Sequence, residues 1–284
     1  MSRRILGVFY LGLLELIRSA VFIFFGSSIC AQNILKRNLN DNSVVCIGWG
    51  VAYFISSIIA INKQGSSVFS ITALYHFWNK KISKGEFFLS IIGQVVGAFV
   101  GACLAWALVY EAVFQLDKGN HMLTGPLRTA QIFAGYPSLH QSTINAFFAE
   151  IVSSFLFVFI ISVVENSVRN VILSKFIHGV TLIIILLSLD FNSTTTINPA
   201  REIGSRAASY IFGYNEKVFS FRSSKWLLIV TMGPVLGSLL AMCAFNLLRL
   251  CSTSKKVNNV RSKGTQASPH VYGVHFDNLH SRML

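Results

Sequence analysis

The sequence predicts an all-α membrane protein with six transmembrane helices and two short re-entrant half-helices, arranged as an inverted repeat. Three observations lead to this prediction. Hydrophobic residues make up 53% of the 284 residues, charged residues make up only 12%, and the mean hydropathy is +0.58. Such a composition is typical of membrane proteins and excludes a disordered chain, a coiled coil or an ordinary cytosolic enzyme. The other two observations are a set of long apolar runs and a pair of short ones.

The six long apolar runs lie at 9–31, 44–61, 87–110, 142–164, 170–189 and 226–248. Each is close to the roughly 20 residues that a helix needs to cross a bilayer. Two shorter apolar stretches, near 66–78 and 198–212, follow the second and the fifth run. They are too short to cross, so we expect them to enter the membrane and return. Because non-helical backbone survives at membrane depth only where protein buries it or water reaches it, the two segments indicate a cavity or pore.

The two halves of the chain, about 9–110 and 142–249, resemble each other. Each half begins with a span that carries an acid, Glu15 or Glu150, and ends with a span that carries small residues at every fourth position. Three spans in each half place the halves in opposite orientations, the plan in which the functional site lies at the interface of two repeats. Residues 1–8 are expected to form a short N-terminal segment, and the Ser/Asn/Lys-rich residues 250–284 a disordered tail.

The chain carries 24 Lys and Arg residues against 11 Asp and Glu, a net charge of +13. Most of the basic residues lie in predicted loops and tails, so membrane topology explains them better than nucleic-acid binding does. They are more numerous on the side of the two termini, which predicts that both termini are cytoplasmic. We expect the plasma membrane rather than an internal one.

Catalytic and metal-binding patterns are not evident in the sequence. The five cysteines include no CxxC pair and are too few for a disulfide framework, so neither a zinc site nor a cofactor is predicted. No nucleophile–base set, catalytic carboxylate pair or phosphate loop stands out either. The sequence therefore does not indicate an enzyme.

The segment Asn198-Pro199-Ala200-Arg201 carries the most specific chemistry. Asn is a favourable N-cap and Pro suits the first position of a helix, so a short helix is predicted to begin here. Its N-terminus would present free N–H groups and the positive end of the helix dipole to the centre of the pore. Arg201 is always charged, and a membrane tolerates such a residue in few environments. A polar donor beside a fixed positive charge suits the passage of neutral molecules and the repulsion of cations.

This segment resembles the second signature motif of the aquaporin family, the major intrinsic proteins. The resemblance covers about residues 8 to 249 and includes Glu15 and Glu150, whose family counterparts brace the re-entrant loops through hydrogen bonds to backbone N–H groups. It implies a passive channel for water and small uncharged solutes such as glycerol, assembled in the lipid bilayer as a homotetramer with one pore in each subunit. Glu202 and Arg206 after the motif are similar to the aquaglyceroporin branch.

The first half departs from the family pattern. Counted back from the third span, the first signature motif falls at Phe69-Ser70-Ile71; counted forward from the second span, it falls at Ser67-Val68-Phe69. Neither choice supplies Asn or Pro, so the resemblance implies one amide donor at the pore centre instead of two.

The family's four filter positions fall at Ile47 (or Trp49), Leu186, Thr195 and Arg201. A bulky Leu186 is expected to narrow the pore, and the small side chain of Thr195 is expected to offset it.

Arg18 is a further departure, because the family prefers a small residue three positions after the first acid. The i,i+3 spacing allows a pair with Glu15, which would compete with loop bracing; alternatively, Arg18 extends toward the membrane interface. Two other functions remain open for the whole chain. A secondary transporter would also use inverted repeats with broken segments, and a divergent member could be gated or non-conducting.

Overall fold

The computed structural model describes residues 3–36, 41–63, 65–138, 140–190 and 195–265. Its nine α-helices in these ranges are α1 (Arg3–Leu35), α2 (Asn42–Ile58), α3 (Ser70–Trp78), α4 (Lys84–Asp117), α5 (Thr143–Ser167), α6 (Val171–Leu189), α7 (Pro199–Ser209), α8 (Lys217–Ser220) and α9 (Lys225–Thr265). A 3₁₀ turn (Ala130–Ile132) precedes α5, and a π-helical turn (Tyr210–Tyr214) continues α7. The predicted all-α membrane fold is confirmed.

Five of the described helices are long and apolar enough to cross a membrane, and they contain five of the six predicted spans. The remaining predicted span, 44–61, corresponds to α2. This apolar helix has 17 residues and falls just short of the length needed to cross a membrane. Asp41 caps α2 by accepting a hydrogen bond from the Ser43 backbone N–H, and Ser83 and Glu86 form a complete capping box at the start of α4. The span boundaries are therefore set by local side-chain chemistry as well as by hydrophobicity.

The ends of the chain differ from the sequence-based expectation. Helix α1 is already helical at residue 3, within the segment 1–8 that was expected to precede the first span. The chain divides into two units, residues 1–245 and 246–284. In the second unit residues 246–265 continue α9, so the first part of the predicted disordered tail is helical. Residues 266–284 of that tail lie outside the described residues.

The two short helices lie where the two short apolar stretches predicted them. Helix α3 packs against α4 and α5, and α7 packs against α4 and contacts α3. The N-caps of the two short helices, Phe69 and Asn198, have extended backbone angles. Each short helix thus begins abruptly after an extended segment, and the two meet each other inside the bundle.

Close backbone contact between helices depends on small residues in both halves. A Cβ atom on Gly97 of α4 would lie 2.2 Å from the backbone oxygen of Leu16 on α1, and a Cβ atom on Gly237 of α9 would lie 2.3 Å from that of Ile151 on α5. These glycines belong to the two predicted ladders of small residues. The ladders therefore form the contact between the first and last span of each half, as small residues do in membrane bundles.

Candidate functional site: a central pore between two half-helices

The N-termini of α3 and α7 are joined by hydrogen bonds between Ser70 and the second motif. The Ser70 backbone N–H and hydroxyl both donate to Asn198 Oδ1, at 3.4 and 3.2 Å. The Ala200 backbone N–H in turn donates to Ser70 Oγ at 3.4 Å. Both helices therefore direct the positive ends of their dipoles at one point in the middle of the protein.

The start of α3 at Ser70 decides between the two possible positions of the first motif. Because Phe69 and Asn198 are the corresponding N-cap residues, Phe69-Ser70-Ile71 lies opposite Asn198-Pro199-Ala200. The two caps differ in chemistry. Asn198 is 1% exposed and its Nδ2 amide group has no hydrogen-bond partner among the described residues, so it can donate to a solute. Phe69 offers an apolar ring instead.

Glu150 of α5 holds the extended segment that leads into α7. Its Oε1 accepts from the Thr196 backbone N–H at 2.9 Å and from the Thr196 hydroxyl at 3.0 Å. Its Oε2 accepts from the Ile197 backbone N–H at 3.2 Å. Ile197 has a positive φ of 53°, a conformation that is unfavourable for a β-branched residue. The carboxylate therefore holds a segment that would otherwise relax.

Glu15 of α1 does the same for the segment before α3. Its Oε1 accepts from the Ser67 backbone N–H at 2.7 Å and from the Ser66 hydroxyl at 2.6 Å. Gln94 of α4 supports both partners, because its amide donates to Glu15 Oε2 at 3.2 Å and to the Ser67 carbonyl at 2.9 Å. The two halves thus repeat one arrangement, an acid in the first span bonded to the loop before the half-helix.

Arg18 pairs with Glu15 and does not extend to the membrane interface. Its Nη1 lies 3.1 Å from Glu15 Oε1 and also donates to Ser66, while its Nε donates to the Ser56 carbonyl at 3.2 Å. The expectation that such a pair would compete with loop bracing is wrong. Since one carboxylate oxygen accepts several hydrogen bonds, Glu15 contacts Arg18 and the loop together.

A cavity beside the start of α7 is lined by three of the predicted filter residues, Leu186, Thr195 and Arg201. The guanidinium of Arg201 lies over the ring of Trp49, with its Cζ atom 4.3 Å from the ring centroid. The Nε atom of Arg201 lies 3.9 Å from Glu202 Oε1. Stacking on an aromatic ring holds a guanidinium in place while leaving its N–H groups free to donate. We call this space the Arg201 cavity. Its walls combine apolar rings and Leu186 with one fixed positive charge.

The structure corrects the filter position on α2. Ile47 is 48% exposed on the outside of the bundle, whereas Trp49 is 6% exposed and lines the Arg201 cavity. Two residues along a helix are separated by a rotation of roughly 200°, so only one of the two side chains can face the pore. The assignment of Ile47 is wrong, and the alternative position, Trp49, is the one that reaches the cavity.

Several residues of the Arg201 cavity were missed by the sequence analysis, among them Asp190, Cys30 and Cys46. Asp190 follows the last residue of α6, and one of its carboxylate oxygens accepts from the Thr195 backbone N–H. Burial raises the pKa of Asp190 to about 7, although the Thr195 N–H and the nearby Arg201 charge oppose this shift. Its position directly after an apolar run was a visible signal, but only its hydrogen bond with Thr195 and its place among the lining residues show that it belongs to the cavity.

Glu202 and Arg206 of α7 hold the long loop between α4 and α5. Arg206 donates to the Gly135 carbonyl at 2.6 Å, lies 3.0 Å from Glu202 Oε2, and stacks over Tyr136 at 4.5 Å. Glu202 accepts from the Gly135 backbone N–H at 3.1 Å, and Trp226 also donates to the Gly135 carbonyl at 2.8 Å. This buried pair positions the loop, and neither residue lines the Arg201 cavity, although Glu202 also lies 3.9 Å from Arg201.

The other end of the pore region is charged. Glu165 of α5 lies 2.7 Å from Lys81 Nζ, 3.6 Å from Lys175 Nζ and 3.3 Å from His76 Nε2, and so links α5 to the end of α3 and to α6. These residues line an open mouth and, except for Lys81, also a narrow neck. We call these spaces the Glu165 mouth and the Glu165 neck.

Comparison with known proteins agrees with this geometry. The family model described as "Major intrinsic protein" matches residues 10–245, most of the chain. The chain belongs to the major intrinsic protein family. The family match and the apolar helices together show that the chain is an integral, multi-pass membrane protein.

Among the curated major intrinsic proteins, "Aquaporin-9" of Mus musculus is 28% identical over 233 residues, which cover 80% of this chain and 78% of that one. "Aquaglyceroporin-2" of Rhizophagus irregularis is 27% identical over 233 residues, 80% of this chain and 73% of its own. The solved structure of the aquaglyceroporin from Plasmodium falciparum matches with a TM-score of 0.72 at 20% identity, covering 81% of this chain and 92% of that chain. At that identity the structural match shows the fold alone.

Proposed function

We propose that this major intrinsic protein is a passive transmembrane channel for water and small uncharged solutes such as glycerol. The observation that carries the proposal is the Arg201 cavity, where an immobilised guanidinium faces apolar walls beside the meeting point of two half-helices. A polyol could place its carbon chain against Trp49 and Leu186 and its hydroxyl groups near Arg201. The curated relatives named aquaporin and aquaglyceroporin support the same class of solute.

Individual residues are proposed to have the following roles. Asn198 donates from its free amide group to a passing oxygen at the pore centre. Arg201 binds solute and repels cations, since a fixed positive charge in a narrow, poorly hydrated space is a strong electrostatic barrier. Leu186, Thr195 and Trp49 set the width of the cavity. Trp49 takes the position on α2 that was first assigned to Ile47. Glu15 and Glu150 hold the two loops in the conformation that the pore requires.

The proposed oligomeric state and membrane orientation also rest on the resemblance to the aquaporin family. We propose a homotetramer in the bilayer, with one pore in each subunit and both termini in the cytoplasm of a plasma membrane. The Lys and Arg distribution supports this orientation. Many large apolar side chains on the long helices are exposed in the isolated subunit, for example Leu108 at 70% and Ile144 at 84%, and these are available to lipid or to a neighbouring subunit.

The test is swelling of proteoliposomes that contain the purified full chain, in water and glycerol gradients, against empty vesicles. The chain is expected to conduct both faster than empty vesicles, with flux linear in the gradient. Saturable, ion-coupled flux would indicate a secondary transporter instead.

A matched pair of variants isolates the role of Arg201. Arg201→Val removes a positive charge from the cavity, and Lys217→Val removes one from an exposed position on α8. Only Arg201→Val should increase cation leak, which a pH-sensitive dye trapped in the vesicles measures in the presence of ammonium gradients. Equal leak in both variants would contradict the proposed barrier.

A further inference from the structure

A group of aromatic side chains packs in the interior of the bundle. Phe22 of α1, Tyr53 of α2, Phe69 before α3 and Phe157 of α5 form a packed group that we call the aromatic cluster. The ring centroid of Phe69 lies 4.9 Å from that of Tyr53, 5.2 Å from that of Phe157 and 5.3 Å from that of Phe22. The exposed fraction of each of the four residues is 3% or less. Tyr53 also pairs with all three other rings, at 6.3 Å from Phe22 and 5.7 Å from Phe157, but Phe69 lies closer to both of these rings and so is the most central of the four.

The cluster lies between the Arg201 cavity and the Glu165 neck. Phe22 and Phe69 line the Arg201 cavity, whereas Tyr53 lines the Glu165 neck. The Glu165 neck shares lining residues, among them His76 and Lys175, with the Glu165 mouth, so those two spaces adjoin. The Arg201 cavity and the Glu165 neck have no lining residue in common within the described part of the chain. A solute that crosses from one to the other must pass the rings.

The position of Phe69 explains why the barrier falls here. It occupies the N-cap of α3, opposite Asn198 at the N-cap of α7, at the point where the dipoles of both half-helices converge. In the second half this position carries an amide that can bond to a solute. In the first half it carries a phenyl ring that offers no hydrogen bond. A narrow passage lined by such rings is unfavourable for water, and hydrophobic constrictions close channels by this dewetting.

We propose that the aromatic cluster is a hydrophobic barrier in the middle of the pore and that Phe69 is the residue that determines flux through it. The proposal rests on the proposed channel function. Water flux through the wild-type chain is limited at the rings, whereas Leu186 and Arg201 form the constriction that a larger solute such as glycerol must also pass. Solutes with small cross-section and few hydrogen-bonding groups are favoured at this step over highly hydrated ones.

Two substitutions test the barrier. Phe69→Ala removes the central ring, and Phe69→Asn replaces it with a polar side chain. Because Asn is a favourable N-cap for α3, the stability gained by capping offsets part of the stability lost with the ring contacts. The matched control is Phe155→Ala, which removes a ring from the same helix as Phe157, where Phe155 stacks on Phe159 away from the cluster. Gel filtration and thermal unfolding in detergent identify variants that fold as the wild type does.

Water permeability per reconstituted protein is then compared in the vesicle assay. Both Phe69 variants are expected to exceed the wild type by about tenfold, the change that follows when a barrier falls by about 1.4 kcal/mol, while Phe155→Ala stays at the wild-type value. A wild type that conducts, with folded Phe69 variants that conduct no faster, would overturn the barrier and leave the channel function standing. If the wild type and both folded Phe69 variants match empty vesicles, the channel function and the barrier both fail.

Discussion

Arg201 shows how a single residue acquires its function from its surroundings. An isolated guanidinium at membrane depth is costly, but here it stacks over Trp49 at 4.3 Å and lies 3.9 Å from Glu202. Both contacts hold its direction without occupying all its donors. At this scale the chemistry of the pore depends on which side chains share the cavity with Arg201, and two of them, Leu186 and Asp190, lead to predictions.

Replacing Leu186 with Gly is expected to widen the Arg201 cavity and to raise the ratio of glycerol to water flux by at least about threefold, because the cavity gains room for several methylene groups. The control is Leu187→Gly, which makes the same substitution at the next position of the same helix, where the side chain is 51% exposed. The measurement is vesicle swelling in paired gradients. An unchanged ratio in Leu186→Gly would show that Leu186 does not set the width.

Asp190 is expected to make stability depend on pH. Because burial raises its folded pKa to about 7 from 3.8, the folded state binds a proton that the unfolded state releases between these values. The free energy of unfolding should therefore fall as pH rises from about 4 to 7, by at most about 1.4 kcal/mol per pH unit. Asp190→Asn removes this dependence. Thermal unfolding in detergent at pH 5 to 8 measures it, and parallel curves for the two proteins would contradict the prediction.

At the scale of helices and loops, the two halves use one design with different residues. In each half an acid of the first span accepts hydrogen bonds from the loop before the half-helix, and glycines in the last span allow the first span to approach. The first half adds Arg18 and Gln94, which donate to Ser66 and Ser67 of its loop, and the second half adds Asp190, which accepts from Thr195 of its loop. Among the described residues, both loops are thus held by side chains in addition to the acid of the first span.

A methyl group on Gly97 should disrupt the contact between α1 and α4. Its Cβ would lie 2.2 Å from the Leu16 backbone oxygen, so Gly97→Ala is expected to destabilise the fold by about 1–3 kcal/mol through overpacking. Gly85→Ala is the control in the same helix, since its Cβ would only touch a Val8 methyl at 3.7 Å. Thermal unfolding of both purified variants measures the difference. Equal midpoints would show that α1 and α4 separate at little cost.

At the scale of the whole molecule, the proposed six membrane crossings put both termini on the same side, and the distribution of basic residues predicts that this side is the cytoplasm. An epitope tag at either terminus is expected to resist protease added outside intact cells, whereas a tag inserted after Gly119, in the loop between α4 and α5, is expected to be cleaved. Cleavage of one terminal tag alone would mean that α2, the shortest of these helices at 17 residues, does not cross.

Much of this protein is readable from its sequence because the signals are local. Apolar runs, caps and small-residue ladders are contiguous or regularly spaced, so they predict the helices, the two half-helices and the inverted repeat. Asn198, Pro199 and Arg201 are also found locally, since one short segment sets both the helix start and the charge beside it. Local spacing also pairs Glu15 with Arg18, although it leaves the alternative of an exposed Arg open.

Contacts between distant segments depend on how the helices pack, and the sequence does not show them. Ile47 and Trp49 are equally apolar and only two positions apart, and the rotation of α2 against its neighbours sends one outward and the other to Arg201. The aromatic cluster draws one ring from each of four segments between residues 22 and 157, and Glu165 meets cations from two other elements. Side-chain direction and cross-bundle distance are set by packing of the complete bundle, because no local preference distinguishes a phenyl ring in a pore from one that faces lipid.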